Sequence, residues 1–353
     1  MLKLPHERGI LVKLIQSFRN LKASALVGIA CILGACTPIP YLDELPEPAT
    51  VTDAQTVPVV AAIPEPAPAV QPSAVDPIRT TLLLSDDIPE FAEIASEIVS
   101  RISSEHLSVH NLDGNPANIA RIKAEAAGAD RVIAVGLLAA TVGQAIQSEH
   151  MVFCQVFNYR DHNLLSATSK GVNLLPPFDL QLQQWTALAP DLSRVGIISG
   201  PNQNDLIAEI RTAATQQGID LQVREVSSDK AALYAFKQLT PDIQGIWLLP
   251  DNRILSPEVV REIMSYSARH RKQVLVFGRN LLSVGGLMNI ASDPADVAEQ
   301  VLAQLDDILA DGTLAGPEMR PLTTLQVEVN PEVARHLGLS ISHLNFSAAN
   351  NDR

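Results

Sequence analysis

The chain has 353 residues, with 39 acidic and 26 basic side chains and a formal net charge of −13 at pH 7. A surface this acidic argues against nucleic acid as a partner and against electrostatic adhesion to anionic lipid, because both present negative phosphates. The length allows one large hydrophobic core or two of medium size.

Residues 1–35 have the order of a secretory signal, with five basic side chains and one acidic one, then an apolar run over 23–35. That run is shorter than the roughly 20 residues that a permanent membrane-spanning helix needs. It ends in Leu33-Gly34-Ala35-Cys36, which resembles the lipobox of bacterial lipoproteins, where the signal is cut before a lipid-bearing cysteine. We therefore predict a lipoprotein signal peptide over 1–35 and lipidation, including palmitate, at Cys36. The alternative is an uncleaved helix with an incidental cysteine.

Cleavage would leave a strongly acidic chain without disulfides. The mature part would hold 21 Lys and Arg against 38 Asp and Glu, a net charge of −17, and Cys154 would be its one free cysteine. Membrane contact is then expected through the lipid and not through a basic patch.

The segment after the cysteine has the composition of a spacer. Residues 37–78 contain 10 prolines in 42 residues and no glycine. This composition favours extended polyproline-like chain, so residues 36–78 are predicted to carry Cys36 and a semi-rigid tether.

Short apolar runs alternate with amphipathic segments beyond the tether. The predicted strands are Thr80–Leu84, Leu107–His110, Arg131–Val135, Val152–Phe157, Arg194–Ser199, Asp220–Val226, Ile243–Leu249, Gln273–Phe277 and Thr323–Val329. The predicted helices are Ile88–Ser103, Pro116–Ala127, Leu138–Ser148, Gln203–Gln217, Lys230–Leu239, Pro257–Arg269, Pro294–Ala310 and Pro331–Leu337. Alternation with nearly all-apolar strands is typical of parallel sheets covered on both faces. The two series of strands predict an α/β protein with two doubly wound parallel-sheet lobes and a ligand cleft between them.

Ligands of open parallel sheets bind at the carboxyl ends of the strands. The residues expected there are Ser85, Asp86, Gly136, Leu137, Asn158, Tyr159, Gly200, Asn202, Asp251, Asn252 and Arg279. Asp251 and Arg279 could clamp the ammonium and carboxylate of an amino acid, although such charges are often solvated or paired with each other. Asn158 offers an amide and Tyr159 a ring for stacking, unless Tyr159 only forms the rim.

Signals for catalysis are poor. Gly196 and Gly200 are wrongly spaced for a nucleophile elbow, and the chain contains no phosphate-binding GxxxxGK[ST] motif. His106 and His110 flank a predicted strand, so their spacing does not define a metal site. Cys154 lies in an apolar strand and is expected to be a buried hydrophobe. We predict no catalytic residue, no cofactor and no metal, and therefore not an enzyme.

Several segments from position 192 onward carry a family resemblance in their order and spacing. They are Leu-Ser-Arg-Val-Gly-Ile-Ile at 192–198, Asn-Asp-Leu-Ile-Ala-Glu-Ile-Arg at 204–211, Gly-Ile-Asp-Leu-Gln-Val at 218–223, Gly-Ile-Trp-Leu-Leu-Pro-Asp at 245–251, Val-Phe-Gly-Arg at 276–279, Gly-Gly-Leu-Met-Asn at 285–289 and Ala-Arg-His-Leu-Gly-Leu at 334–339. The chain resembles the ABC-transporter substrate-binding proteins related to bacterial tryptophan and tyrosine uptake, which have the type I periplasmic binding protein fold. It departs from them in the turns at Phe157-Asn158-Tyr159 and Gly136-Leu137.

The resemblance implies an N-terminal lobe of 79–165 plus 284–316 and a C-terminal lobe of 166–283 plus 317–341. The tail over 342–353 is expected to be disordered. The resemblance also implies that the helix at 294–310 returns to the first lobe and that the strand at 323–329 returns to the second, with the ligand between the lobes.

The leading hypothesis is a monomeric, lipid-anchored solute-binding protein that presents a small molecule, such as an amino acid, to an ABC permease. The alternative is an envelope lipoprotein of the same fold that acts as a sensor or adaptor without transport. Thr37 follows the predicted lipidation site, and lipoproteins of double-membrane bacteria without Asp at that position resemble those of the outer membrane. We therefore expect the periplasmic face of the envelope, with the outer membrane favoured over the inner.

Overall fold

The computed structural model describes residues 78–307, 312–341 and 347–348. The predicted signal peptide, the lipidation site at Cys36, the tether up to residue 77 and most of the predicted tail lie outside these residues. Within the described residues, no helix has both the length and the apolar character needed to cross a membrane.

The first sheet contains six strands, all parallel. They are β1 Thr80–Leu84, β2 Leu107–Asn111, β3 Arg131–Val135, β4 His150–Cys154, β5 Ser169–Val172 and β11 Met319–Arg320, in the order β11-β5-β4-β3-β1-β2. The central strands β1 and β4 are buried along their whole length, because helices cover both faces of the sheet.

The second sheet contains seven strands. They are β6 Arg194–Ser199, β7 Asp220–Glu225, β8 Gly245–Trp247, β9 Gln273–Val276, β10 Met288–Ala291, β12 Gln326–Val329 and β13 Ser347–Ala348, in the order β13-β12-β10-β9-β8-β6-β7. β12 runs antiparallel to β10, and the other pairs are parallel. β13 lies inside the tail that was predicted to be disordered.

The described residues form nine α-helices, and most begin at strong start signals. They are α1 Pro89–Arg101, α2 Pro116–Glu125, α3 Leu137–Gln144, α4 Phe178–Leu188, α5 Asn204–Gln216, α6 Asp229–Leu239, α7 Pro257–Arg269, α8 Pro294–Asp306 and α9 Pro331–Leu337. Proline occupies the first turn of five of them, and the side chains of Asn115, Ser228, Ser256, Asp293 and Asn330 cap helix N-termini.

Apolar side chains alternate between the two faces of each sheet and build two cores per lobe. On β1, Leu82 and Leu84 belong to one core and Leu83 to the other. On β6, Ile197 and Ile198 divide in the same way between the two cores of the second lobe. This confirms the predicted class of an α/β protein with two parallel-sheet lobes.

The chain crosses between the lobes three times, at positions that differ from the predicted boundaries. β5 pairs with β4, so the first crossing follows Val172 and not residue 165. β10 pairs with β9, so the second follows Ala291 and not residue 283. β11 pairs with β5, so the third follows Arg320 and not residue 316. The apolar pattern did not reveal the first of these boundaries because β5, with the sequence Ser-Lys-Gly-Val, has no apolar run. As the resemblance implied, α8 packs on α1 in the first lobe and β12 lies in the second sheet.

Candidate ligand site between the lobes

The loop after β8 places a buried carboxylate next to a guanidinium of the same lobe. Asp251 is only 1% exposed, and its carboxylate accepts from Arg253 Nε at 2.8 Å, Nη2 at 2.7 Å and the backbone N–H at 3.1 Å. Burial alone would raise the pKa of Asp251, but the hydrogen bonds and charge of Arg253 outweigh it, so the pKa lies below its ordinary value. Asp251 is therefore an ionised, fully partnered group.

Arg253 also reaches the first lobe. Its Nη1 donates to Asp161 Oδ2 at 2.6 Å, and Asp161 belongs to the short 3₁₀ turn Tyr159–His162 that follows β4. The guanidinium thus contacts carboxylates from both lobes, which raises its own pKa further above the ordinary value, with Asp251 the larger cause.

Asn158 makes a second set of contacts across the lobes. Its Nδ2 donates to Asp251 Oδ1 at 3.4 Å and to Asn252 Oδ1 at 3.5 Å, and its Oδ1 accepts from Gln203 Nε2 at 3.1 Å. The amide is 9% exposed and touches two loops of the second lobe. Buried amides need such partners, because an unpaired polar group costs free energy when it is removed from water.

A pocket of about 440 Å³ lies beside this polar network. Four segments line it: residues 156–161 after β4, residues 173–178 at the first crossing, residues 202–209 at the start of α5, and residues 318–322 around the third crossing. Both lobes and two of the three crossings thus contribute to one concave site. Sites of this kind, with apolar walls and a few polar groups, are typical of small-molecule binding.

The pocket wall combines aromatic surface with charge. Phe157 and Phe178 supply rings, and Phe178 meets Trp247 edge to face with ring centroids 6.0 Å apart. On the rim, Arg160 lies 5.6 Å above the Tyr159 ring. Tyr159, and then the carboxylates of Glu318 and Asp205, raise the pKa of Arg160 above its ordinary value. The rim therefore carries one cation close to carboxylates from the second lobe and the third crossing.

Three of the predicted ligand residues line this pocket, namely Asn158, Tyr159 and Asn202. Asn202 is exposed and has a φ of 63°, which places it in the left-handed region that asparagine tolerates. Gly200 and Asn252 lie near the pocket, next to Asp251 and Asn158 respectively, but do not line it. Contact of these residues with a ligand stays a prediction.

The residues predicted at the ends of β1 and β3 do not line the pocket. Ser85 Oγ accepts from the backbone N–H of Ala139 at 2.9 Å, inside the first turn of α3. Gly136 has a φ of 89°, and a Cβ there would lie 2.6 Å from Ser85 Oγ and 2.9 Å from the Phe91 ring. Asp86 is exposed and accepts from the next backbone N–H, and Leu137 packs at the edge of a first-lobe core. Side chains of the chain itself therefore cover this helix end.

Asp251 and Arg279, which were predicted to clamp a ligand together, are each paired within the second lobe. Arg279 Nε lies 2.9 Å from Glu328 Oε1 on β12, whereas Asp251 is held by Arg253. Each charge has a partner close to it in its own lobe, and the pairing matters most for the buried Asp251, because an unpaired buried charge is costly. Their joint contact with the ammonium and carboxylate of an amino acid stays a prediction.

The sequence reasoning missed Arg253, Asp161 and Gln203, which join the lobes. Arg253 stands two residues after Asp251, so the turn Pro-Asp-Asn-Arg could have suggested a local ion pair. No sequence signal identifies Asp161 as its second partner, since 92 residues separate the two. The pocket segment Leu174–Phe178 was also missed, because it follows a strand without an apolar run.

Among the described residues, no group of three or more His, Cys, Asp or Glu side chains is arranged to hold a metal ion. Cys154 is fully buried in β4, and burial raises the pKa of its thiol to about 12. A thiol with so high a pKa is protonated at neutral pH and is a poor nucleophile.

No protein-family model matches the chain, and no curated protein matches it in sequence. Solved structures match in fold. A substrate-binding protein with adhesive properties from Clostridium difficile, CD0873 in its ligand-free open form, has a TM-score of 0.57 at 12% identity, over 76% of this chain and 98% of that one. An ABC domain from Streptococcus pneumonia in complex with L-Trp has a TM-score of 0.53 at 18% identity, over 74% and 95%. A conserved domain protein from Vibrio cholerae has a TM-score of 0.52 at 15% identity, over 74% and 95%.

The structural likeness establishes the fold, whereas sequence identities this low leave the identity of the ligand open. The sheet order, the three crossings and these likenesses agree: the chain has a two-lobe α/β fold of the periplasmic-binding-protein type.

Proposed function

We propose that the folded part of this chain is a substrate-binding protein that holds a small molecule in the pocket between its lobes. The observation that carries the proposal is the pocket itself: both lobes and two crossings contribute to one site of about 440 Å³. A ligand there would contact both lobes at once and so stabilise their closed arrangement. We propose no catalytic role.

An amino acid is the ligand class that we propose first. Arg160 could receive a carboxylate, whereas Asp205, Glu209 and Glu318 on the rim could receive an ammonium group. No described cation lies within ion-pair distance of these three carboxylates. Phe157, Phe178 and the neighbouring leucines would face an apolar side chain. The L-Trp complex among the structures of similar fold supports the same class of ligand.

Thermal-shift screening of the purified chain against the common amino acids and related small solutes tests the proposal. A ligand at 100 times its Kd should stabilise the protein by about 2.7 kcal/mol, which is a clear shift in melting temperature. Titration calorimetry would then give the Kd. Stabilisation by none of these compounds would contradict the proposed function.

Substitutions in the pocket connect binding to this site. Glu318→Gln should weaken an amino acid about tenfold, because one charge-assisted contact worth about 1.5 kcal/mol is lost. Glu225→Gln, at the exposed end of β7 and outside the pocket lining, removes the same charge and serves as the control. Equal affinities of the two variants would exclude Glu318 from the ammonium site. Phe178→Leu should reduce affinity most for aromatic amino acids.

We further propose that the chain is exported, lipid-anchored at Cys36 and held at the periplasmic face of the envelope, where it would present its ligand to an ABC permease. Support comes from the charged start, short apolar run and lipobox-like end of residues 1–36. Labelling of cells with radioactive palmitate tests the anchor: the wild-type chain should incorporate label and Cys36→Ser should not. Membrane fractionation then distinguishes the outer membrane, which Thr37 favours, from the inner membrane, where a permease would reside.

A further inference from the structure

Among the described residues, the guanidinium of Arg253 contacts one carboxylate from each lobe. It binds Asp251 of its own lobe and Asp161 of the other. We propose that the ion pair of Arg253 with Asp161 holds the lobes closed without ligand, and we call this pair the tie. Asp251 orients Arg253 in advance, and Asp161 is the partner that is released when the lobes open. The tie makes Arg253 and Asp161 positioning residues for the pocket.

The second-lobe half of the tie is preset. Two nitrogens of Arg253 bind the two oxygens of Asp251, and a backbone N–H adds a third hydrogen bond. Gly200 leaves room for this pair, since a Cβ there would lie 2.8 Å from Arg253 Nη2. A bidentate pair of this kind fixes the plane of the guanidinium. The remaining nitrogen, Nη1, is therefore held in place for a partner from the first lobe.

The first-lobe half consists of a short turn next to Asn158. Asp161 lies in the 3₁₀ turn Tyr159–His162, which ends at Asn163 with a φ of 50°. Asn158, just before that turn, binds Gln203 and the loop at Asp251 and Asn252. Four interlobe hydrogen bonds, including that of Asp161, therefore converge on residues 158–161. Because Asn158 and Tyr159 also line the pocket, the tie positions one of its walls.

Opening of the lobes would break these bonds unequally. The Arg253–Asp251 pair lies within one lobe and stays intact, whereas the 2.6 Å contact of Arg253 with Asp161 spans the lobes and must separate. The side chains of Arg253 and Asp161 are 24% and 31% exposed, so water can solvate both once they part. Asp251, which is 1% exposed, keeps its counter-ion throughout. Asp161 is thus the partner that can be exchanged.

Spin-label distance measurement on the full-length chain tests the tie without any ligand. Labels at Lys123→Cys on α2 and Tyr234→Cys on α6 report on the two lobes, and both positions are exposed. Cys31 and Cys36 are replaced by serine, and Cys154 is buried and does not take the label. The test variant is Asp161→Asn, which leaves the Arg253–Asp251 pair untouched. Removal of Arg253 would instead leave Asp251 as a buried, unpaired charge.

The wild-type chain should give one narrow distribution of distances, and Asp161→Asn should add a population at longer distance. Hydrogen exchange of amides in residues 158–162 should accelerate about tenfold in the same variant. Asp161→Glu should restore the wild-type distribution. Glu258→Gln, which breaks a pair within α7, is the control and should not change it. Identical distributions for wild type and Asp161→Asn would overturn the proposal.

Salt provides the same test without a substitution. Raising the ionic strength from about 0.01 M to about 1 M shortens the screening length from about 30 Å to about 3 Å. The longer-distance population of the wild type should then increase, and a distribution that does not respond would count against the tie. Neither readout needs a ligand, so failure of the proposed function would leave this result unaffected.

Discussion

Gly200, at the end of β6, lies directly against the carboxylate of Asp251, which follows β8. A Cβ at Gly200 would overlap Asp251 Oδ2 and come within 2.8 Å of Arg253 Nη2. β6 and β8 are neighbours in the second sheet, so the two strand ends meet at the edge that faces the first lobe. The absence of a side chain at position 200 is thus a condition for the Asp251–Arg253 pair.

Gly200→Ala should destabilise the protein, because the added methyl group must displace the buried pair. Overpacking of this kind costs about 1–3 kcal/mol, measurable as a lower midpoint in urea unfolding. Gly278→Ala is the matched control, since its Cβ would meet only the end of the exposed side chain of Asn280. Equal midpoints for the two variants would show that the pair at Asp251 adjusts without cost.

The Cys154 thiol should be unreactive in the folded protein. Burial raises its pKa to about 12 and also blocks access of reagents. In a chain with Cys31→Ser and Cys36→Ser, a thiol reagent at pH 8 should modify Cys154 only at the rate of unfolding, and quickly in concentrated urea. An added Lys123→Cys on the exposed face of α2 should react at once. Rapid modification of Cys154 under native conditions would be inconsistent with its burial.

Asp296 on α8 should be important for stability. Its carboxylate accepts from the backbone N–H groups of Thr323 and Thr324 at 2.7 and 2.9 Å, and from the Thr323 hydroxyl at 3.0 Å. It thereby joins the first lobe to the third crossing. Asp296→Asn removes the charge and replaces one of two acceptor oxygens, each of which receives at least two hydrogen bonds, by an amide donor, so we expect a loss of about 2–3 kcal/mol in unfolding free energy. Glu299→Gln on the exposed face of the same helix should cost less than about 0.5 kcal/mol.

The effect of Asp296→Asn should depend on pH. Burial alone would raise the pKa of Asp296, but the N–H groups of Thr323 and Thr324 outweigh it and hold the pKa below its ordinary value. A lowered pKa in the folded state contributes stability above the unfolded pKa of about 3.9, and that contribution is lost as the pH falls through the folded pKa. The difference in unfolding free energy between wild type and variant should be constant from pH 7 to pH 5. It should shrink below about pH 4, and a difference that grows with acid would contradict this assignment.

Much of the fold could be predicted from the apolar pattern. β1, β3 and β6 begin and end where predicted, because they are apolar runs that lie buried between helices. β5, β11 and α4 were not predicted. β5 holds four residues and β11 two, and both form by pairing with neighbours that are distant in sequence. Their identity as strands depends on those neighbours, so the first and third lobe boundaries were predicted at the wrong residues.

The candidate site, like the fold, could be predicted from the sequence only in part. The sequence by itself determined which loops stand at strand ends, since the order of apolar runs and helix starts fixes that, and so Asn158, Tyr159 and Asn202 could be named. Only the tertiary structure decided which charges pair. Asp251 pairs with Arg253 and not with Arg279, and Arg253 also pairs with Asp161, which lies 92 residues away in the sequence. The choice of an ionic partner depends on distance and desolvation in three dimensions, and a linear pattern of residue types carries neither.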